Sequence, residues 1–157
     1  MTTLAKLGFC CVVFMAFAGC HQSKFLSLRQ RLDALPEAQA FSEFRKLSPS
    51  DQVGLFVWEF EHSKPPASRY GMVMNESGKS VTPLLLGKAI ATDDYLLNLT
   101  ILKNLSTFPK QDLSMLRPAD FKAALARCIS LANVTPAGFC LRARSDLEKS
   151  LGIDLSH

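Results

Sequence analysis

Apolar side chains recur at helical spacing from residue 25 onward. Phe25, Leu28, Leu32 and Leu35 are three or four residues apart, and Pro36 ends this run because proline cannot continue a helix. The same spacing predicts further helices over residues 37–47, 49–62, 79–91, 95–106, 118–133 and 136–151, with a weaker segment over 67–75. The pattern indicates an all-α fold of seven to eight short helices in antiparallel pairs.

Capping residues mark where several of these helices begin. Ser48 is a suitable N-cap, Pro49 suits the first helical position, and Asp51 places a carboxylate near the positive end of the helix. The helix behind this signal has apolar residues on two faces, so we expect it at the centre of the core. The segment Gly78-Lys79-Ser80 lacks the earlier glycine of a phosphate-binding loop, and we interpret it as a helix start.

Two cysteines flank the last predicted turn. Cys128 and Cys140 are each six residues from Val134, so an antiparallel helix pair would hold them at the same height. We predict a disulfide that links a C-terminal helical hairpin, with buried free thiols or a metal pair as alternatives. A zinc site is disfavoured because no histidine lies nearby.

The first twenty residues differ in composition from the rest. Lys6 precedes an uncharged run, Leu7–Ala18, which is shorter than the roughly 20 residues that a membrane-spanning helix needs. The run ends in Phe17-Ala18-Gly19-Cys20, which resembles the lipobox of bacterial lipoproteins, although that family usually has Leu where this chain has Phe17. The alternative is an ordinary cleaved leader that ends near a cysteine.

The resemblance implies a defined processing route. Residues 1–19 would be a cleaved signal peptide, 20–24 a lipid-anchored tether, and 25–157 a single helical domain. Cys20 would carry palmitate and further acyl chains, because one chain alone anchors a protein only marginally. In this family an Asp after the cysteine favours the inner membrane, so His21 favours an outer-membrane anchor that faces the periplasm.

The overall composition fits one globular domain. The chain has 157 residues, of which 48% are hydrophobic and 20% charged, so disorder is not expected. The formal net charge of +4 is mild, and basic and acidic residues alternate, which does not indicate a nucleic-acid partner. Lys24, Arg29 and Arg31 could touch anionic lipid beside the anchor, or belong to an ordinary amphipathic first helix.

Residues suited to catalysis are few. Glu59 and His62 share a helix face, with Asp51 and Glu61 nearby, but no second histidine motif completes a metal site. The chain contains only three histidines, and no Gly-x-Ser-x-Gly motif occurs. We therefore predict neither a metal nor a cofactor, and an enzyme is the less favoured interpretation.

These observations favour a periplasm-facing, lipid-anchored module that binds an envelope or periplasmic protein. An inhibitor, an immunity protein or an assembly adaptor would fit, and the rhythm of helices around Gly78–Leu85 resembles HEAT-like repeats over about one unit. We expect the contact surface at Tyr70, Met72 and Met74. The alternative function is a small envelope hydrolase that uses carboxylates near Glu59 and Glu61.

Overall fold

The computed structural model describes residues 24–66, 68–132 and 137–156, and this part of the chain is helical without strands. The all-α prediction is confirmed. The α-helices are α1 (residues 24–33 of the described chain), α2 (Glu37–Arg45), α3 (Pro49–His62), α4 (Gly71–Met74), α5 (Thr82–Ala91), α6 (Tyr95–Leu105), α7 (Lys110–Leu113), α8 (Pro118–Leu131) and α9 (Gly138–Leu151). A 3₁₀-helix, Asn75–Ser80, joins α4 to α5.

The predicted helix ends agree with the structure at several positions. Ser48 Oγ accepts a hydrogen bond from the Asp51 amide at 3.1 Å, which caps α3 as its sequence indicates. A glycine after residue 151 predicts the end of the last helix, and Gly152 does follow α9 in the left-handed conformation with φ 69°, where glycine is favoured. The sequence also predicts a start for the last helix at Thr135-Pro136, and these two residues lie outside the described ranges.

The segment before α5 differs from the prediction. A helix was expected from Lys79, but α5 begins at Thr82, and the preceding residues form the 3₁₀-helix. The cause is Gly78, whose φ of 56° and ψ of −137° interrupt the helical path. A side chain could not easily replace its hydrogen, because a Cβ there would lie 3.0 Å from Asp112 Oδ2. The chain therefore turns sharply before entering α5.

Helix α3, predicted at the centre of the core, contacts α1, α4, α5 and α6, and half of its residues are buried. Helix α6 also lies in the core, where it contacts α3, α5, α8 and α9. The reason is that α6 is apolar around most of its circumference, and such a helix is stable only when it is enclosed. Its buried apolar residues are Leu97, Leu99, Ile101, Leu102 and Leu105.

A buried amide also ties α6 to its neighbours. Asn98 Nδ2 donates to the Ala89 carbonyl at 2.7 Å and to the Ala124 carbonyl at 3.3 Å. Ala89 lies in the last turn of α5, where carbonyls lack helical partners, so the amide satisfies an otherwise unpaired acceptor. Asn98 thereby fixes the positions of α5 and α8 around α6.

The C-terminal helices are joined by a disulfide. Cys128 of α8 and Cys140 of α9 are bonded, with Cα atoms 5.9 Å apart and both side chains buried. The predicted disulfide-linked hairpin is confirmed. The bond fixes the packing of α8 against α9.

Candidate functional site

An open groove lies between α3 and α5 and reaches the start of α1. Its volume is about 480 Å³, and apolar side chains form most of its walls. Phe25 of α1 lies beside Gly54, where an added Cβ would overlap the phenyl ring. The lining residues are Phe25, Ser50, Val53, Gly54, Val57, Trp58, Glu61, Leu84, Gly87, Lys88 and Ala91.

The groove carries two charges of opposite sign. Glu61 belongs to the last turns of α3 and Lys88 to the last turn of α5. Within the described part of the chain, neither residue has an ion pair or a side-chain hydrogen bond. Both charges therefore remain available at an otherwise apolar surface.

Trp58 lines the groove, and its indole packs against the ring of His62. The His62 ring stacks on the indole with centroids 4.4 Å apart, and His62 Nδ1 lies 2.8 Å from the Trp58 carbonyl. The stacking limits the freedom of the indole. Trp58 thus presents a large, pre-ordered apolar surface, a property of residues that dominate binding interfaces.

A second polar cluster lies around Glu59 on another face of α3. The carboxylate forms an ion pair with Arg29 of α1 and accepts a hydrogen bond from Ser68 Oγ at 2.6 Å. Arg29 Nε also donates to Asp33 Oδ2 at 2.7 Å, and Arg69 pairs with the same carboxylate. The cluster joins α1, α3 and the segment before α4.

Burial determines both the protonation of the Glu59 carboxyl and its access to solvent. The side chain is 1% exposed, and desolvation raises the pKa of its carboxyl above the usual 4.5, against the opposing effects of Ser68 and of the Arg29 charge. Both oxygens face groups of the protein, so Glu59 is closed to a solvent-borne substrate in this arrangement. The cluster therefore acts as a brace between helices.

The expected contact surface requires correction. Tyr70 and Met74 are fully buried, and only Met72 of the three is exposed, at 82%. Phe44 stacks on Tyr70 at 4.3 Å, Arg69 Nη2 donates to its hydroxyl at 2.7 Å, and burial raises the pKa of that hydroxyl. Tyr70 is consequently a core residue, and a partner contact at Met72 alone stays a prediction.

The candidate carboxylates do not converge on one site. Glu61 lines the groove, Glu59 is enclosed by the brace, and Asp51 pairs with Lys24 at 2.5 Å near the start of α3. Eight residues of helix separate Asp51 from Glu59, about 12 Å along the axis. Within the described residues, no group of three or more His, Cys, Asp or Glu could hold a metal ion.

The structure also accounts for part of the basic cluster in α1. Lys24 and Arg29 are engaged with acidic residues of α3, while Leu28 and Leu32 on the same helix are buried. This arrangement matches the ordinary amphipathic first helix. Leader, lipobox and Cys20 lie outside the described residues, and no helix within the described ranges is long and apolar enough to cross a membrane.

The groove escaped the sequence prediction because its α5 wall was expected inside the core. The apolar spacing over residues 79–91 predicts Leu84 and Ile90 on the core-facing side of the helix, but both are exposed, and Leu84 lines the groove. The one available signal was Gly87, since glycine within a helix lowers its stability and calls for an explanation. No protein-family model, curated protein or solved structure matches the chain.

Proposed function

We propose that this protein is a lipid-anchored binding module that faces the periplasm from the outer membrane and acts by contact with another envelope protein. The observation that carries the proposal is the groove between α3 and α5, with its apolar walls and unpaired charges. Surfaces of this kind mark interaction sites in small proteins. Inhibition, immunity and assembly of an envelope complex all fit such a mode of action.

The disposition of polar groups supports contact over hydrolysis. A hydrolase built on Asp51, Glu59 and Glu61 would need at least two of these carboxylates to reach one substrate. Glu59 is turned into the brace, and Asp51 is paired with Lys24, so the groove receives Glu61 alone. The contact function requires no such convergence.

The anchor rests on the lipobox resemblance at Cys20, and its test uses a second leader cysteine as control. We expect Cys20→Ala to abolish incorporation of labelled palmitate and to leave an uncleaved precursor. Cys11→Ala alters only the segment that processing discards, so its labelling and maturation should equal those of the wild type. Unchanged palmitate labelling in Cys20→Ala would refute the anchor.

The contact function is tested by isolating the tagged full-length chain from solubilised envelope after crosslinking in cells. We expect one envelope protein to be retained at about a one-to-one ratio, and Cys20→Ala to reduce its recovery by removing the chain from the membrane surface. Recovery no greater than that of an unrelated tagged lipoprotein would refute a contact function.

A further inference from the structure

The two walls of the groove are complementary helix faces. The α3 residues that line it, from Ser50 to Glu61, share one helix face, with alternating intervals of three residues and one over about 16 Å. The α5 residues from Leu84 to Ala91 repeat the same spacing. A channel between two such faces has the shape that receives a third helix along its length.

Gly87 indicates a close approach of that occupant. It lies inside α5, its φ is not positive, and a Cβ built on it would meet no atom within 4 Å. Neither backbone conformation nor packing within the described chain therefore requires glycine at this position. A missing side chain in the groove instead leaves room for a second backbone to pass closely over α5.

The two charged residues of the groove indicate which charged groups its ligand carries. Glu61 and Lys88 line the same groove, and within the described chain they pair neither with each other nor with another charged side chain. A ligand that fills the groove must pass both charges. Complementary groups on that ligand would gain two ion pairs and set its register.

We propose that the groove binds an amphipathic helix of a partner protein, about three turns long. Its apolar face would pack on Val57, Trp58 and Leu84, with a basic residue at Glu61 and an acidic residue at Lys88. Its backbone would cross α5 at Gly87. The inference rests on the proposed contact function and adds which surface is used and what kind of segment it takes.

A photo-crosslinking amino acid at Leu84 tests this occupant in the full-length chain in cells. The matched control is the same probe at Leu141 of α9, because the two leucines are 42% and 43% exposed and only Leu84 lines the groove. Sequencing of the adduct should identify an amphipathic helical segment, with at least tenfold more adduct from the probe at Leu84.

The outcomes separate this inference from the proposed function. A partner captured at Leu141 but not at Leu84 would overturn the groove assignment and leave the contact function standing. An adduct with a lipid chain or with a second copy of this protein at Leu84 would also overturn the helix occupant. Absence of a protein adduct at both positions would overturn the inference, and with the tagged isolation also negative, the contact function as well.

The charge prediction has its own pair of variants. Lys88→Glu should lower adduct yield at Leu84 about tenfold, and replacing the partner's acidic residue with lysine should restore it. Lys149→Glu is the control, because Lys149 also lies in the last turn of a helix and has no ion pair in the described chain. Equal losses in the two variants, or no restoration, would overturn the register.

Discussion

Glycine affects the stability of the fold in opposite directions at two positions, Gly152 and Gly87. Gly152 ends α9 with φ 69°, a conformation that costs other residues about 1 kcal/mol or more. Gly87 lies within α5, where alanine is favoured by about 1 kcal/mol and its Cβ has free space. The same substitution should therefore change stability in opposite directions at these positions.

We expect Gly152→Ala to lower the free energy of unfolding by about 1 kcal/mol and Gly87→Ala to raise it by a similar amount. Denaturant titration of both variants beside the wild type measures the difference. A loss of stability in Gly87→Ala would show that the fold itself needs glycine there, which contradicts the role assigned to this residue.

Glu59 makes stability depend on pH. Because burial raises the pKa of its carboxyl in the folded state, the folded chain binds this proton more tightly than the unfolded chain does. The free energy of unfolding should therefore fall as pH rises from about 4.5 through the folded-state pKa. This loss is the cost of ionising a buried carboxyl, which the neighbouring arginines offset only in part.

Glu59→Gln should remove that component of the pH dependence. Denaturant titrations between about pH 4 and pH 7 should show a flatter profile in the variant than in the wild type. The exposed neighbour Glu61 provides the control, since Glu61→Gln should retain the wild-type slope. An identical slope in Glu59→Gln would contradict the stated effect of burial.

Among the elements, the α8–α9 hairpin is constrained most directly. The disulfide closes a loop with a sequence separation of 12 and restricts the unfolded chain, a contribution of about 3 kcal/mol. The paired substitution Cys128→Ala/Cys140→Ala should lower the free energy of unfolding by about this amount. Reductant should weaken the wild type similarly and leave the double variant unaffected; equal stability of both proteins would contradict this role.

The helices could be predicted to the extent that their signals are local. Ser48, Pro36 and Gly152 act through the backbone next to them, so their effect is visible in the sequence. The burial of Tyr70 depends on Phe44 and Arg69, and that of Glu59 depends on Arg29 from another helix. Contacts between residues that are distant in the sequence do not show in its hydrophobic periodicity. For this reason the prediction that Tyr70 and Met74 lie on a contact surface was wrong.

The groove was missed for a related reason. Periodicity places apolar residues on one face of α5, but it does not reveal that the neighbouring helices leave part of that face uncovered. Leu84 was therefore expected in the core and is exposed instead. The disulfide could be predicted because Cys128 and Cys140 are equally distant from one predicted turn. Predicting the groove would have required knowledge of how α1, α3 and α5 pack together.

At the scale of the whole molecule, a few groups of residues hold the described helices together. α6, Asn98 and the disulfide hold the helices, and the Glu59 cluster braces α1 against α3. Val53 and Val57 of the groove belong to the core, whereas Glu61, Lys88 and Gly87 take no part in it. The two charges are unpaired within the described chain, and a Cβ on Gly87 would meet no atom within 4 Å. The fold should therefore tolerate substitutions at these three positions.

Recovery of the envelope partner by the full-length Gly87→Leu chain tests this account most directly. A Cβ at position 87 would meet no atom within 4 Å, so a leucine there would place its side chain in the groove. Gly138→Leu of α9 is the matched control because its Cβ also meets nothing within 4 Å. We predict that Gly87→Leu stays folded and retains at least tenfold less partner, while Gly138→Leu retains the wild-type amount. Equal recovery by a folded Gly87→Leu protein would contradict the account.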